Sequence, residues 1–275
     1  MNTNKIMKKI LGFILISITV LLFLFPFYWM VVTSTQEGTG LYRAENIIPS
    51  KVSLDNYKQL INLKYFARWN FNSLFTSIIT VILTCLFCTM AGYVFAKKNI
   101  LGGNIMFLLL LVTMTVPTQT LLVPLFILTR KLHMINTYQG LILPSLVRPF
   151  GVFLMKQVIS TIPSEFTDSA KIDGANELQT LWHIILPLAS SGIIVLAIFT
   201  FISAYNDYFW QLLITSTEQM KTLPLAMAGL QADEKCLNIN FLMAGAVIAS
   251  IPMIVIYVFL QKYFTQGITI GGIKG

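Results

Sequence analysis

The stretch DSAKIDGANELQTLWHIILPL, Asp168 to Leu188, carries charges of both signs, turns on a glycine and lies between two strongly apolar segments. Just before it, Pro163 suits the first turn of a helix, where its missing N–H costs nothing. Glu165 and Asp168 place negative charge near that N-terminus, which the helix dipole favours. The pattern predicts a helix to about Ile172, then a turn at Asp173-Gly174. Asn176 is a good N-cap for a second helix, and Gln179 three residues on can complete a capping box. Leu178, Leu181, Ile184 and Ile185 recur at spacings that share one helical face. Pro187 marks the entry to the next apolar segment. The sum is a helix–turn–helix elbow. An elbow that merely rested on lipid would carry a Lys/Arg-rich polar face. This one shows Glu165, Asp168, Asp173 and Glu177, which suit a basic groove on a soluble partner.

The flanking chain explains why an elbow stands out. Of 275 residues, 56% are apolar and 11% are charged, against about 25% charged in a soluble domain. Several apolar runs exceed the roughly 20 residues that cross a bilayer as a helix. The reading is an all-α, multi-pass integral membrane protein with spans near 10–32, 71–96, 102–128, 140–157, 188–210 and 241–261. Pro117 and Pro124 should kink the third span. The fourth, LILPSLVRPFGVFLMKQ, holds Pro144, Arg148 and Pro149 and should be broken. Lys5, Lys8 and Lys9 precede a first run too long for a signal peptide, with no A-x-A site after it, so that run is expected to stay as a span.

Organisation follows: an N-terminal span and outer loop over 1–70, a transmembrane domain over 71–265 with the elbow loop at 158–187, and a tail over 266–275. Lys and Arg divide evenly between the two sides, but three Lys precede the first span and none follows it until Arg43. That bias places the N-terminus inside, and six spans return the C-terminus to the cytoplasm. The net charge of +8 is scattered over short loops and fits anionic head groups of the lipid bilayer, not nucleic acid. Cys85 and Cys88 lie within an apolar helix as small packing residues, and Cys236 stands alone in a loop.

The elbow resembles the "EAA" loop of permease subunits of ABC importers, whose pattern is roughly E-A-A-x-x-D-G-A followed by I-x-L-P. Here Asp168 to Ala175 read D-S-A-K-I-D-G-A and Ile184 to Pro187 read I-I-L-P. Asp173, Gly174, Ala175, Leu186 and Pro187 match; Asp168 and Ser169 replace the family's first Glu and Ala. TVPTQTLLVPLF before INTYQGLILP, then YNDYFWQLLI, and finally GITIGGIKG resemble successive parts of the carbohydrate branch, the second, maltose-permease-like subunit. The likeness covers nearly the whole chain.

The resemblance implies a type I ABC importer permease fold in a bacterial plasma membrane. It implies a heterodimer with a second permease, two ATPase subunits below, and an extracellular or periplasmic solute-binding protein delivering a sugar or oligosaccharide. The elbow would then be the coupling helix. Its candidate ATPase-coupling residues are Asp168, Ser169, Ala170, Asp173, Gly174, Ala175, Leu186 and Pro187. The chain has no G-x-x-x-x-G-K-[ST] loop, so ATP and Mg are expected on the partner ATPase. His133 and His183 lack ligand spacing for a metal, and no nucleophile–base arrangement suggests a catalytic residue.

Ionisable groups inside spans are costly and usually functional. Asp207, beside Asn206 and within the aromatic run of Tyr205, Tyr208, Phe209 and Trp210, is either an interfacial carboxylate or a sugar contact. Arg148 either pairs with Asp207 or packs on the other permease, or it holds an anionic sugar or a glycerol-phosphate-type solute. The substrate-pathway candidates are therefore Arg148, Asn206, Asp207 and Trp210. An ion-coupled secondary carrier remains the competing class; it would need several intramembrane carboxylates, and only Asp207 is offered.

Overall fold

A computed structural model describes residues 3–37, 51–146, 148–232 and 238–270. Arg43, Cys236 and residues 271–275 of the expected tail lie outside the described residues. The contacts divide the chain into two units, one comprising Met1–Ala67 with Met227–Ile251, the other Arg68–Ala226 with Pro252–Gly275.

In the first unit α1 (Thr3–Ser34) and α2 (Asp55–Ile61) meet where α1 ends. The last carbonyls of a helix have no partner within it. Asn56 supplies one: its Nδ2 donates to Ser34 O at 3.0 Å and to Gln36 O at 2.9 Å, and Ser34 Oγ lies 2.6 Å from the Tyr57 hydroxyl. Between Met7 and Val31, α1 is covered by almost nothing, with Phe13 and Phe23 largely exposed. Such a surface is stable only against lipid or another chain.

The second unit holds the middle of the chain, and the last two helices divide between the units. Here α3 (Phe66–Lys97) is one long apolar helix. The third expected span is instead α4 (Gly103–Thr113) and α5 (Thr118–Lys131), bent by 101°. The bend falls before Pro117, where Met114, Thr115 and Val116 each bond three residues back and so tighten the last turn. Pro124, expected to kink the span as well, sits within an unbroken α5. The fourth span is broken as the prolines require, into α6 (Tyr138–Ile142) with a 3-10 turn over Leu143–Ser145, and α7 (Pro149–Ser160). The elbow follows as α8 (Ser164–Ile172) and α9 (Glu177–Leu188). An 80° bend leads into α10 (Ser190–Tyr205). That span stops at Tyr205 rather than near 210; a turn separates it from α11 (Phe209–Ile214). Then come α12 (Leu223–Ala232) and α13 (Ile239–Ile270), the latter carrying helix into the first half of the expected tail.

The core explains the small residues of α3. A Cβ on Gly92 would lie 2.6 Å from Met155 Cβ and 2.8 Å from the Lys156 backbone nitrogen; one on Gly151 would lie 2.7 Å from Cys88 Sγ. α3 and α7 therefore cross at a distance that only small residues permit, the usual way helices pack in lipid. Cys88 is fully buried there, in the packing role its spacing suggested. Val152, Met155, Ile159, Leu181, Ile185 and Leu196 complete the cluster, so α7, α9 and α10 share one core with α3.

Candidate functional site

The elbow forms as its local sequence dictates. Pro163 stands as the cap just before α8, one position earlier than expected, with φ −57°. The end of α8 is a Schellman motif: Gly174 N–H donates to Lys171 O at 3.1 Å and Ala175 N–H to Ala170 O at 2.9 Å. Gly174 itself has φ +78° and nothing within 4 Å of the place a Cβ would take. The capping box is complete, with Gln179 N–H on Asn176 Oδ1 at 2.9 Å and Asn176 N–H on Gln179 Oε1 at 2.8 Å. A π-turn over Leu181–Ile185 carries α9 onward to Leu186 and Pro187.

Burial sorts the elbow's residues. Thr167 and Ala170 face inward, as do Thr180, Leu181 and Ile185. Asp168, Ser169, Asp173, Gly174 and Pro187 are exposed, with Ala175 and Leu186 half-buried. Ala170, a coupling candidate, thus anchors the elbow on its own chain. Leu178, expected on the apolar face, is exposed, and Ile172 at the tip is 87% exposed. Asp173, Gly174, Ala175, Gln179, His183 and Ile184 line a shallow, open hollow of about 320 Å³.

Glu177 is exposed like the rest of the acidic set, but unlike them it is bonded to the end of α3. Its Oε2 accepts from the Tyr93 hydroxyl at 2.8 Å, and its Oε1 pairs with Lys98. The bonded Lys98 ammonium, then the Tyr93 hydroxyl, hold the Glu177 carboxyl below its usual 4.5, with Lys171 adding attraction. One residue earlier, Lys97 donates to Ile162 O. In the sequence Lys97 and Lys98 simply follow the apolar run of 71–96; their reach to the elbow has no local signal.

A second cluster lies at the broken fourth span. Arg148 caps α7 in extended backbone, as a residue before proline prefers. Its Nε donates to Ser145 O at 3.3 Å and a terminal nitrogen to Ser203. Asp207 is within electrostatic range of Arg148, without an ion pair inside 4.0 Å. Its Oδ1 instead accepts from the Trp210 backbone N–H at 3.2 Å. Asn206 is exposed. Trp210, by contrast, is 4% exposed and donates its indole N–H to Gly140 O at 2.9 Å. Its ring is walled in by Leu141 and Ile214, which makes it a packing residue here and leaves no face for a passing solute.

The elbow and the broken spans on either side of it lie within the part of the chain that a family comparison matches. Residues 88–270 match the family described as "Binding-protein-dependent transport system inner membrane component". The chain belongs to this family. It is 36% identical to the arabinooligosaccharides transport system permease protein AraQ of Bacillus subtilis (strain 168), over 93% of this chain and 92% of that one. It is 31% identical to the galactooligosaccharides transport system permease protein GanQ of the same organism, over 100% and 99%. Among solved structures, a chain of a bacterial ABC transporter involved in the import of the acidic polysaccharide alginate superposes with TM-score 0.86 at 23% identity, covering 96% of this chain and 99% of that one. That likeness shows the fold, which is all-helical with three apolar spans among the described residues, or six if each bent pair crosses as one. A binding-protein-dependent permease is a different class from the ion-coupled carrier, and the carrier reading falls.

Proposed function

We propose that this permease is the second of a heterodimeric pair in an ATP-driven importer, and that the pair conducts a sugar or oligosaccharide handed over by an external binding protein. The elbow and both termini face the cytoplasm of a bacterial cell, where two ATPase subunits hold ATP and Mg. One ATPase seats the elbow, and closure of the ATPase pair on ATP shifts the spans from inward-open to outward-open, a two-state equilibrium biased from outside the membrane chain.

One observation carries this reading: the elbow tip ends in a rigid Schellman turn that presents Ile172, 87% exposed, between the exposed carboxylates of Asp168 and Asp173. Burying such a side chain in a partner's pocket is worth about 1.5–3 kcal/mol, and the flanking acids select a basic rim. The kinship with arabinooligosaccharide and galactooligosaccharide permeases supports an oligosaccharide cargo. The test is uptake of a panel of pentose and hexose oligosaccharides by cells bearing the whole importer, with and without an inactivated ATPase. Uptake that persists on an ion gradient without the ATPase refutes the proposal.

A second reading concerns cargo charge. Arg148 sits at the break of the fourth span with two of its donors engaged by neutral oxygens, leaving others for a carboxylate or phosphate. On this reading Arg148→Ala impairs an anionic sugar or glycerol-phosphate-type solute selectively. Equal loss for neutral and anionic cargo removes it.

A further inference from the structure

Two adjacent lysines at the end of α3 hold the elbow by both of its ends. Lys97 Nζ donates to Ile162 O, the last carbonyl before Pro163 opens α8. Lys98 Nζ pairs with Glu177, the first residue of α9, and lies 5.2 Å above the Tyr93 ring. Tyr93, 4% exposed and part of the shared core, reaches the same carboxylate at 2.8 Å. Tyr93 and Lys97 are four residues apart and so project from one side of α3. The segment from Pro163 to Asn176 thus has both ends tied to the end of α3, with Thr167 and Ala170 packed inward between them.

We infer that this clasp makes Glu177 and Lys98 positioning residues for coupling: they fasten the elbow to α3, so that a displacement of α8 moves α3 instead of swinging the elbow free. The inference rests on the elbow being the element that docks on the ATPase. An exposed ion pair by itself contributes little. The clasp is more than one because its carboxylate is also held by a hydroxyl from a buried ring, a charge-assisted bond stronger than a neutral one. From α3 the motion has a tight route onward. The glycine-close crossing at Cys88 and Gly92 locks α3 to α7, and α7 begins at Arg148, on the break of the fourth span. Packed helices pass on a displacement as bodies, whereas a loop held only at its peptide links absorbs it.

The test uses the whole importer reconstituted in liposomes with both permeases, the ATPases and the loaded binding protein. Solute moved per ATP hydrolysed is the readout, because a simple loss of folded protein lowers both quantities together and leaves the ratio unchanged. Lys98→Glu and Glu177→Lys should each lower that ratio about five- to thirty-fold, the population change expected of one or two lost kcal/mol. The double exchange, Lys98→Glu with Glu177→Lys, should recover most of it. Tyr93→Phe keeps the ring and the fold and should lower the ratio about five-fold, the scale of one hydrogen bond. A normal ratio in the single variants, or a double exchange no better than either, overturns the inference. A crosslink from Ile172→Cys to the ATPase keeps the two ideas apart. If it forms in the clasp variants while their ratio stays normal, only the clasp fails; if it never forms with the clasp intact, the docking reading falls and takes the clasp with it.

Discussion

Gly174 offers the sharpest test of how the elbow turns. Its φ of +78° lies in the left-handed region, and no atom stands within 4 Å of a Cβ built there. Within this chain the position therefore demands a backbone conformation and imposes no limit on size. Alanine in that region costs about 1–2 kcal/mol, a factor of roughly 5–30 in the population of the turned elbow. Asparagine visits the same region at lower cost, so Gly174→Asn should cost less than Gly174→Ala although it is larger. Gly174→Pro cannot reach the conformation and also deletes the bond to Lys171 O, a loss of about 3 kcal/mol or more. Uptake by cells expressing equal amounts of inserted protein should fall in the order Gly, Asn, Ala, Pro, and recovery of the ATPase with the purified permease should follow it. An order set by volume, with Gly174→Ala near wild type and Gly174→Asn far below it, would refute the conformational reasoning. It would mean that the glycine exists to let another chain approach.

Three further outcomes follow from the geometry. Gly92→Ala drives a methyl to within 2.8 Å of the Lys156 backbone, and overpacking of this kind costs about 1–3 kcal/mol; the melting temperature in detergent should fall with no change in which solute is taken up. Asn72 is wholly buried, donates at 2.8 Å to both Gln219 O and Lys221 O, and accepts from Tyr138 at 2.7 Å. Asn72→Ala strands all three groups and should cost about 2–4 kcal/mol, read in the same melting assay, whereas an effect below about 1 kcal/mol would mean that water replaces the amide. The Glu177 carboxyl, facing Tyr93, Lys98 and the more distant Lys171, is held below its ordinary 4.5. Its stabilisation is therefore fully present above pH 4.5 and is lost as the pH falls through the lowered folded value. Melting curves of the wild type and Glu177→Gln should converge on acidification; parallel curves would show that the clasp carries no charge-dependent stability.

What the sequence made legible was local. The stop of α8 at Gly174, the Asn176–Gln179 capping box and the break at Pro149 all depend on residues within four positions of each other, and turn and cap chemistry is written at that range. Pro117 and Pro124 show where local reading fails. Both remove a donor, yet only the first sits where the helix has already tightened into three-residue bonds, so only there does the span bend. Trp210 was read as a pathway aromatic because of its neighbours in sequence. Its true partner, Gly140, is 70 residues away. The clasp was invisible for the same reason: Lys98 and Glu177 are 79 residues apart, and in sequence Glu177 is one more acid of the elbow.

The parts that could not be read decide how the elbow works. Without the bonds of Glu177 to Tyr93 and Lys98 and without a buried α9, the elbow would be held only by the inward packing of Thr167 and Ala170. Instead α9 is one helix from Glu177 through its π-turn to Leu188, with Leu181, Ile185 and Ala189 buried in the core shared by α3 and α7. A helix seated along its length in a core cannot pivot at its first residue, and the clasp at Glu177 closes the remaining freedom. Beyond it the chain bends by 80° after Leu188, where Pro187 has removed a backbone donor. On the docking proposed above, a push on Ile172 is delivered to α3 and α7 as a body.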